Sequence, residues 1–257
     1  MTAGARHSRL GVWEDMDQHA TRRRSLSREA IVEVALGIVD AEGLDALSMR
    51  RIAQELNTGP ASLYAHVGGK EQVVELLLDR IAADLVHPEP DPAQWQRQVK
   101  DFLRQSKNNM LAHNDLAKAN LVANIPTLPH QLDAAETLVA LLRAGGLPDQ
   151  VVAYGVDLLA LYVVSSAYEQ SQRSGSEARP PQETEAVLSD KYMDNIRTYF
   201  ASLPKERYPA LLSMIPEMTR SVGDERFDFG LDVILSGMIA RADRATAQAE
   251  RRSSDAR

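Results

Sequence analysis

From Ser27 onward the chain divides into amphipathic stretches separated by Gly, Asn and Pro. Ile31, Val34, Ala35, Ile38 and Val39 recur at intervals of three and four, the spacing that places side chains on one face of a helix. With Ser27 as N-cap and Gly43 as stop signal, this pattern predicts a helix from about Arg28 to Glu42. Ser48 caps a second, short helix whose inward stripe is Met49, Ile52, Ala53 and Leu56. Asn57, Thr58 and Gly59 interrupt it, Asn and Gly being residues that tolerate the left-handed backbone of a sharp turn, and Pro60 suits the first position of a third helix. Gly68 and Gly69 end that one. Lys70 opens a fourth helix carrying Val73, Val74, Leu77, Leu78, Ile81 and Leu85, a long element placed to link two domains.

Three prolines between His87 and Pro92 end the fourth helix. Helical spacing then recurs over roughly 93–113, 115–124, 129–144, 148–172, 183–202, 206–221 and 224–243. Strand-like alternation is nowhere sustained, so the expected fold class is all-α. Residues 1–26 read as a flexible basic arm, 27–72 as a helix-turn-helix unit, 73–245 as a larger helical domain and 246–257 as a flexible polar tail. The stretch from Arg173 to Gln182, rich in Ser, Gly and Pro, reads as a loop.

Composition changes this picture at three points. The most apolar run, Val151 to Tyr168, barely reaches across a bilayer and carries Asp157 near its centre, so it reads as a buried helix with no membrane partner. The N-terminal arginines are not followed by an apolar run, and the chain has no cysteine; both point to the cytoplasm and exclude disulfides and thiol catalysis. The net charge of −7 argues against nucleic acid until its distribution is read. Residues 1–70 hold nine Lys or Arg and nine Asp or Glu, whereas the remainder holds twenty against twenty-seven. A neutral head, with Arg22, Arg23 and Arg24 before its first helix and Arg50, Arg51 and Lys70 later, sits on an acidic body.

Two short helices joined by a three-residue turn form a unit that lays its second helix in a DNA major groove. Leu63 and Val67 point inward on that helix, leaving Ser62, Tyr64, Ala65 and His66 to face DNA. Hydroxyl and imidazole groups bond phosphates or base edges, and an Ala methyl meets a thymine methyl. Ser48 and Lys70 flank the unit, where a helix N-terminus and an ammonium favour phosphates. The same pattern also serves plain helix packing.

The run LSMRRIAQELNTGPASLYAHVGGKEQVV, from Leu47 to Val74, resembles the DNA-binding segment of the tetracycline-repressor (TetR) family, notably in IAQEL, LYAHV and Lys70-Glu71. RFDFGLDVILSGMIA and LRAGGLPDQVVAYGVDLLALYVVSSAYEQ are similar to helices of that family's C-terminal domain. The resemblance implies operator contacts at Ser48, Arg50, Ser62, Tyr64, Ala65, His66 and Lys70. It also implies a homodimer paired through two C-terminal helices, a palindromic double-stranded operator, and release by a small-molecule effector. Asn57, Thr58, Ala61 and Val67 depart from residues frequent in the family, which leaves the operator sequence open. Whether the regulated genes are repressed or activated is a family expectation of repression.

An effector pocket between helices needs apolar walls and a few polar groups. Met110, His113, Asn120, Asn124, Tyr162, Tyr168 and Glu169 are its candidates, each with an alternative reading as a core or solvated residue. In the tetracycline repressor a histidine holds a magnesium ion that accompanies the drug; the corresponding position here is Asn120, which does not forbid magnesium but argues against tetracycline as the effector. No resident metal or other cofactor is therefore expected, and a metal brought with the effector stays open. Two competing classes stay open. An enzyme is poorly supported, because no HExxH pair, Gly-rich phosphate loop or nucleophile elbow is present. A helical interaction protein that has lost DNA binding differs by lacking steep salt dependence on DNA.

Overall fold

The computed structural model describes residues 26–113, 115–122, 126–173, 185–220 and 224–255. The N-terminal arm other than Leu26, and the stretch 174–184, lie outside the described residues. Among the described residues there are eleven α-helices and no strand. The first, α1, is Arg28–Glu42, and a single 3-10 turn, Leu44–Ala46, follows it. Then come α2 (Met49–Glu55), α3 (Pro60–Leu63), α4 (Lys70–Ala82), α5 (Trp95–Leu111), α6 (Leu116–Val122) and α7 (Pro129–Ala144). The chain closes with α8 (Asp149–Arg173), α9 (Glu185–Ala201), α10 (Pro209–Met218) and α11 (Glu225–Asp255).

The N-terminal unit forms where capping and burial agree. Ser27 Oγ accepts the Ala30 N–H and Ser48 Oγ accepts the Arg51 N–H, which satisfies donors left open at both helix starts. Ile31, Ile52, Leu63, Val73 and Leu77 are fully buried, each contributing about 1.5–3 kcal/mol through burial. The same core runs without a break into the larger domain through Leu78, Ile81 and Leu85 to Phe102 and Leu142. A boundary at residue 72 therefore falls inside α4, which packs on α1 at one side and on α5, α6 and α7 at the other.

Polar contacts fix the joints. Asp79 of α4, nearly buried, accepts the His130 and Gln131 backbone N–H groups at 2.9 and 3.2 Å and faces His130 Nδ1 at 2.8 Å, so it caps the start of α7. Asp115 accepts the Leu44 N–H at 3.1 Å, and His113 Nδ1 lies 3.1 Å from Asp40. Both contacts tie the start of α6 to the N-terminal unit. Farther away, α5 and α11 run antiparallel under a ladder of ion pairs, Lys100–Asp232 and Arg104–Asp228 at 2.8 Å, then Lys107–Asp224. Lys107 is 1% exposed, with its ammonium 4.4 Å from the Phe227 ring centroid.

Two glycines set the crossing of α8 and α11. A Cβ on Gly155 would lie 2.1 Å from Met238, and one on Gly230 would lie 2.0 Å from the Tyr162 hydroxyl. Each helix thus supplies the gap that the other's large side chain fills.

One expectation fails. Residues 246–255 are helical rather than a flexible tail, because α11 continues to Asp255. The loss of apolar spacing after Ala245 does not end a helix already formed. Extension through Ala, Gln, Glu and Arg needs no new nucleus, and these residues are good helix formers.

Candidate DNA interface and ligand cavity

The turn between α2 and α3 explains how the recognition segment is aimed. Asn57 has φ of 50°. Its N–H donates to the Gln54 carbonyl at 3.1 Å, while the Thr58 N–H reaches back to the Ala53 carbonyl at 2.9 Å. This pair of bonds is a Schellman closure with Asn57 in the left-handed position. Gly59, expected to share that conformation, is instead extended at φ −83° and serves as the N-cap of α3. Pro60 follows at the first helical position. Helical hydrogen bonding ends at Leu63, whose carbonyl accepts from both His66 and Val67, so the segment continues as a tight turn.

Burial separates its two faces. Leu63 and Val67 are inside, whereas Ser62, Tyr64 and Ala65 are exposed and His66 is half-buried. Tyr64 is 57% exposed, a large aromatic held in water on a rigid support. Arg28 Nε donates to the His66 carbonyl, and Lys70 Nζ to the Leu44 carbonyl, both at 3.4 Å. These long contacts leave the imidazole and most of the ammonium's donor capacity available.

Neighbouring arginines differ sharply. Arg51 donates to Glu42 at 2.7 Å and to Glu55, and these carboxylates, Glu42 first, hold its guanidinium above the usual range. Arg50 is exposed and enters no ion pair among the described residues. Of the two, Arg50 is the one able to meet a phosphate. Ser48, exposed, offers its hydroxyl and the N-terminus of α2 on the same surface.

A cavity of about 320 Å³ lies in the larger domain between α4, α5, α6, α7 and α8. Its walls are mostly apolar, including Leu78, Ile81, Phe102, Leu138 and Val163. Met110 and Asn120, both expected at a pocket, line it, and Asn120 Nδ2 donates to Met110 Sδ at 3.2 Å. His113, Tyr162, Tyr168 and Glu169 do not line it. His113 faces Asp40 of α1. Tyr162 stacks on Phe227 and donates to the Arg226 and Phe227 carbonyls, and its burial raises the phenol above its usual range. Tyr168 packs half-buried against the core, while Glu169 is exposed. Asn124 lies outside the described residues. Sequence reasoning missed Ser106, Asn109, Gln131 and Asp157, all in the lining. The available signal was Asp157, a charge set in the most apolar run of the chain.

Among the described residues no group of three His, Asp or Glu stands together as a metal site. Asn120 is moreover bonded to a thioether.

On the opposite side of α8 a groove of about 660 Å³ runs beside α11, lined by Tyr154, Leu158, Val233 and Gly237 among others. Tyr154 is 68% exposed, and Leu158, Leu161, Phe229 and Val233 are all more than half exposed. By length and composition alone Asp149–Gln172 passes as a membrane-crossing helix. The run expected to be a buried helix is only partly so: its apolar residues divide between the core, the cavity, this groove and, at Leu161, exposed surface.

Residues 31–77 match the family described as bacterial regulatory proteins, tetR family, and residues 87–242 match the tetracyclin repressor-like, C-terminal domain. The HTH-type transcriptional repressor DrrR1 of Streptomyces coeruleorubidus is 32% identical over 83% of this chain and 77% of its own length. The class D tetracycline repressor protein of Escherichia coli is 26% identical over 82% of this chain and 88% of its own. Among solved structures, ActR of Streptomyces coelicolor in complex with actinorhodin is 41% identical, covers 86% of this chain and 99% of its own, and superposes with a TM-score of 0.75. ActR without ligand gives a TM-score of 0.74 at the same identity, over 86% of this chain and 98% of its own. With both segments matched and the helical architecture shared, the chain belongs to the tetR family and is a ligand-responsive transcriptional repressor.

Proposed function

We propose that the protein acts as a homodimer that grips a palindromic operator and releases it when a small organic effector enters the cavity. The observation that carries this reading is the recognition segment, whose exposed Tyr64 stands beside Ser62 and Ala65 on a backbone anchored by buried Leu63 and Val67. Tyr64, Ala65 and His66 would read bases, while Ser48, Arg50, Ser62 and Lys70 would hold phosphates. The exposed stripe on α8 and α11 supports pairing with a second copy, because an isologous four-helix contact covers the same apolar face on both subunits. Such a dimer would set its two recognition segments about 34–36 Å apart, one helical turn of DNA.

Helix α4 offers the route for release. It starts at Lys70 beside the recognition segment and ends with Ile81 and Ala82 in the cavity wall. An effector that favours another tilt of α4 would spoil the half-site spacing, and by linkage it would bind less well to the operator complex. ActR has been solved with actinorhodin and with (S)-DNPA, which supports an organic effector for this chain too. Action is by binding alone, in the cytoplasm, without catalysis or a membrane.

Selection of duplexes from a random pool by the purified protein tests the reading. A palindromic winner whose affinity falls steeply with salt is expected. Recovery of no preferred duplex would remove it.

A further inference from the structure

The polar groups in the cavity wall are unbalanced. Asn109 Nδ2 donates to the Ile81 carbonyl at 3.2 Å, Asn120 Nδ2 to Met110 Sδ at 3.2 Å, and Gln131 Nε2 to the Glu75 carbonyl at 3.4 Å. Each amide therefore spends a donor on the protein, while none of the three side-chain oxygens accepts a hydrogen bond among the described residues. Asp157, also in the lining, has no hydrogen-bond or ion-pair partner there. Among the described residues no Lys, Arg or His lines the cavity. Each amide keeps one N–H and Ser106 adds a hydroxyl, but three amide oxygens and one carboxylate, with no cation among the described residues, weight the vacant polar capacity toward acceptors.

Polar groups that a ligand covers must be matched, and an unmatched one costs the affinity that its desolvation takes. We propose that the effector is an apolar, ring-containing molecule that presents hydrogen-bond donors, a protonated amine foremost, to Asp157 and to the amide oxygens of Asn109, Asn120 and Gln131. This rests on the reading of the cavity as the effector site. The apolar walls take the ring body, and the acceptors orient it by its donor edge. A carboxylate on the same edge meets Asp157 and carbonyl oxygens with like polarity, so the site discriminates against acids.

Three probes of one ring size test this on the full-length protein: 9-aminoacridine, acridine and acridine-9-carboxylate, titrated calorimetrically. The cation is expected to bind about tenfold or more tighter than the acid, the preference of a half-open charged contact. Asp157→Asn, a change at an exposed position, should bring the two within about threefold by weakening the cation and not acridine. Ala134→Trp, which fills the cavity, should abolish binding of all three. If the acid binds as well as the cation while Ala134→Trp still blocks both, the donor preference is overturned and the cavity reading stands. If Ala134→Trp leaves binding intact, the cavity reading itself falls. Failure of all three probes to bind overturns the proposed ligand class.

Discussion

The two ends of the molecule dispose of their apolar side chains in opposite ways. Between Arg28 and Ala82 the large aliphatic residues are turned inward, and Tyr64 is the one large hydrophobic residue described as exposed. On α8 and α11, Tyr154, Leu158, Leu161, Phe229 and Val233 are all exposed. The N-terminal unit finishes its own surface and leaves a single aromatic outside, on a short segment with closed caps. The far end leaves a continuous stripe, larger than scattered exposure explains. One exposed aromatic on a sealed unit is a contact device; an exposed stripe is a surface completed by something else.

The strongest way to break this contrast is to charge the stripe. Leu158→Glu with Val233→Glu puts four carboxylates into a symmetric interface, at several kcal/mol for each one left unpaired, so a total on the order of 5 kcal/mol or more. Sedimentation should show the wild-type chain as a dimer and the double variant as a folded monomer with helical circular dichroism retained. A dimer that survives both changes would mean that the stripe is not the pairing face.

At the other end the corresponding change removes the device without touching the core. Tyr64→Ala with His66→Ala should weaken operator binding by about 2–5 kcal/mol, summed from base and phosphate contacts of roughly 1–3 kcal/mol each. Because Tyr64 is 57% exposed, the thermal midpoint should scarcely move. Fluorescence anisotropy on the selected duplex gives the comparison, and equal affinities would remove the recognition role from this segment.

How far each end was legible follows from the same contrast. In the N-terminal unit the signals were local and agreed: Ser27, Ser48, Asn57 and Pro60 each act within a few residues, and α1 occupies the expected 28–42. The division of α3 and its following turn into a buried and an exposed face followed from the inward positions of Leu63 and Val67 alone. The cavity was only partly legible, because it is made by five helices whose mutual placement no spacing encodes. Met110 and Asn120 fell there, while Tyr162, equally plausible by residue type, is spent on Phe227 and two α11 carbonyls. His113 likewise serves the joint with α1. The end of α11 was missed because polarity was taken for loss of helix.

Lys107 sharpens the question of what holds the far end together. Its stem is buried, but its partner Asp224 is 52% exposed in its side chain. Losing the ammonium therefore does not strand a buried charge. Lys107→Ala should cost about 2–3 kcal/mol through lost packing of the stem and the space left behind. Lys107→Met keeps the stem and removes the cost of burying a charge, so its urea midpoint should stay within about 1 kcal/mol of wild type. A Met variant as unstable as the Ala variant would show that the ion pair, not the hydrocarbon, secures α5 to α11.

The smallest effect sits in the turn that aims the recognition segment. Asn57 holds φ at 50°, where a Cβ-bearing residue other than Asn or Asp is penalised by about 1–2 kcal/mol, and glycine is not. Asn57→Ala should thus destabilise the chain by about 1 kcal/mol, and Asn57→Gly should leave stability within about 0.5 kcal/mol. Operator affinity separates geometry from stability. If the Schellman closure through the Gln54 and Ala53 carbonyls sets the direction of α3, Asn57→Gly keeps it and binds DNA like wild type. Asn57→Ala binds more weakly even at temperatures where it is fully folded. Equal binding by both variants would locate the aim of α3 in the buried contacts of Leu63 and Val67 alone, and the turn would then be a connector without a directing role.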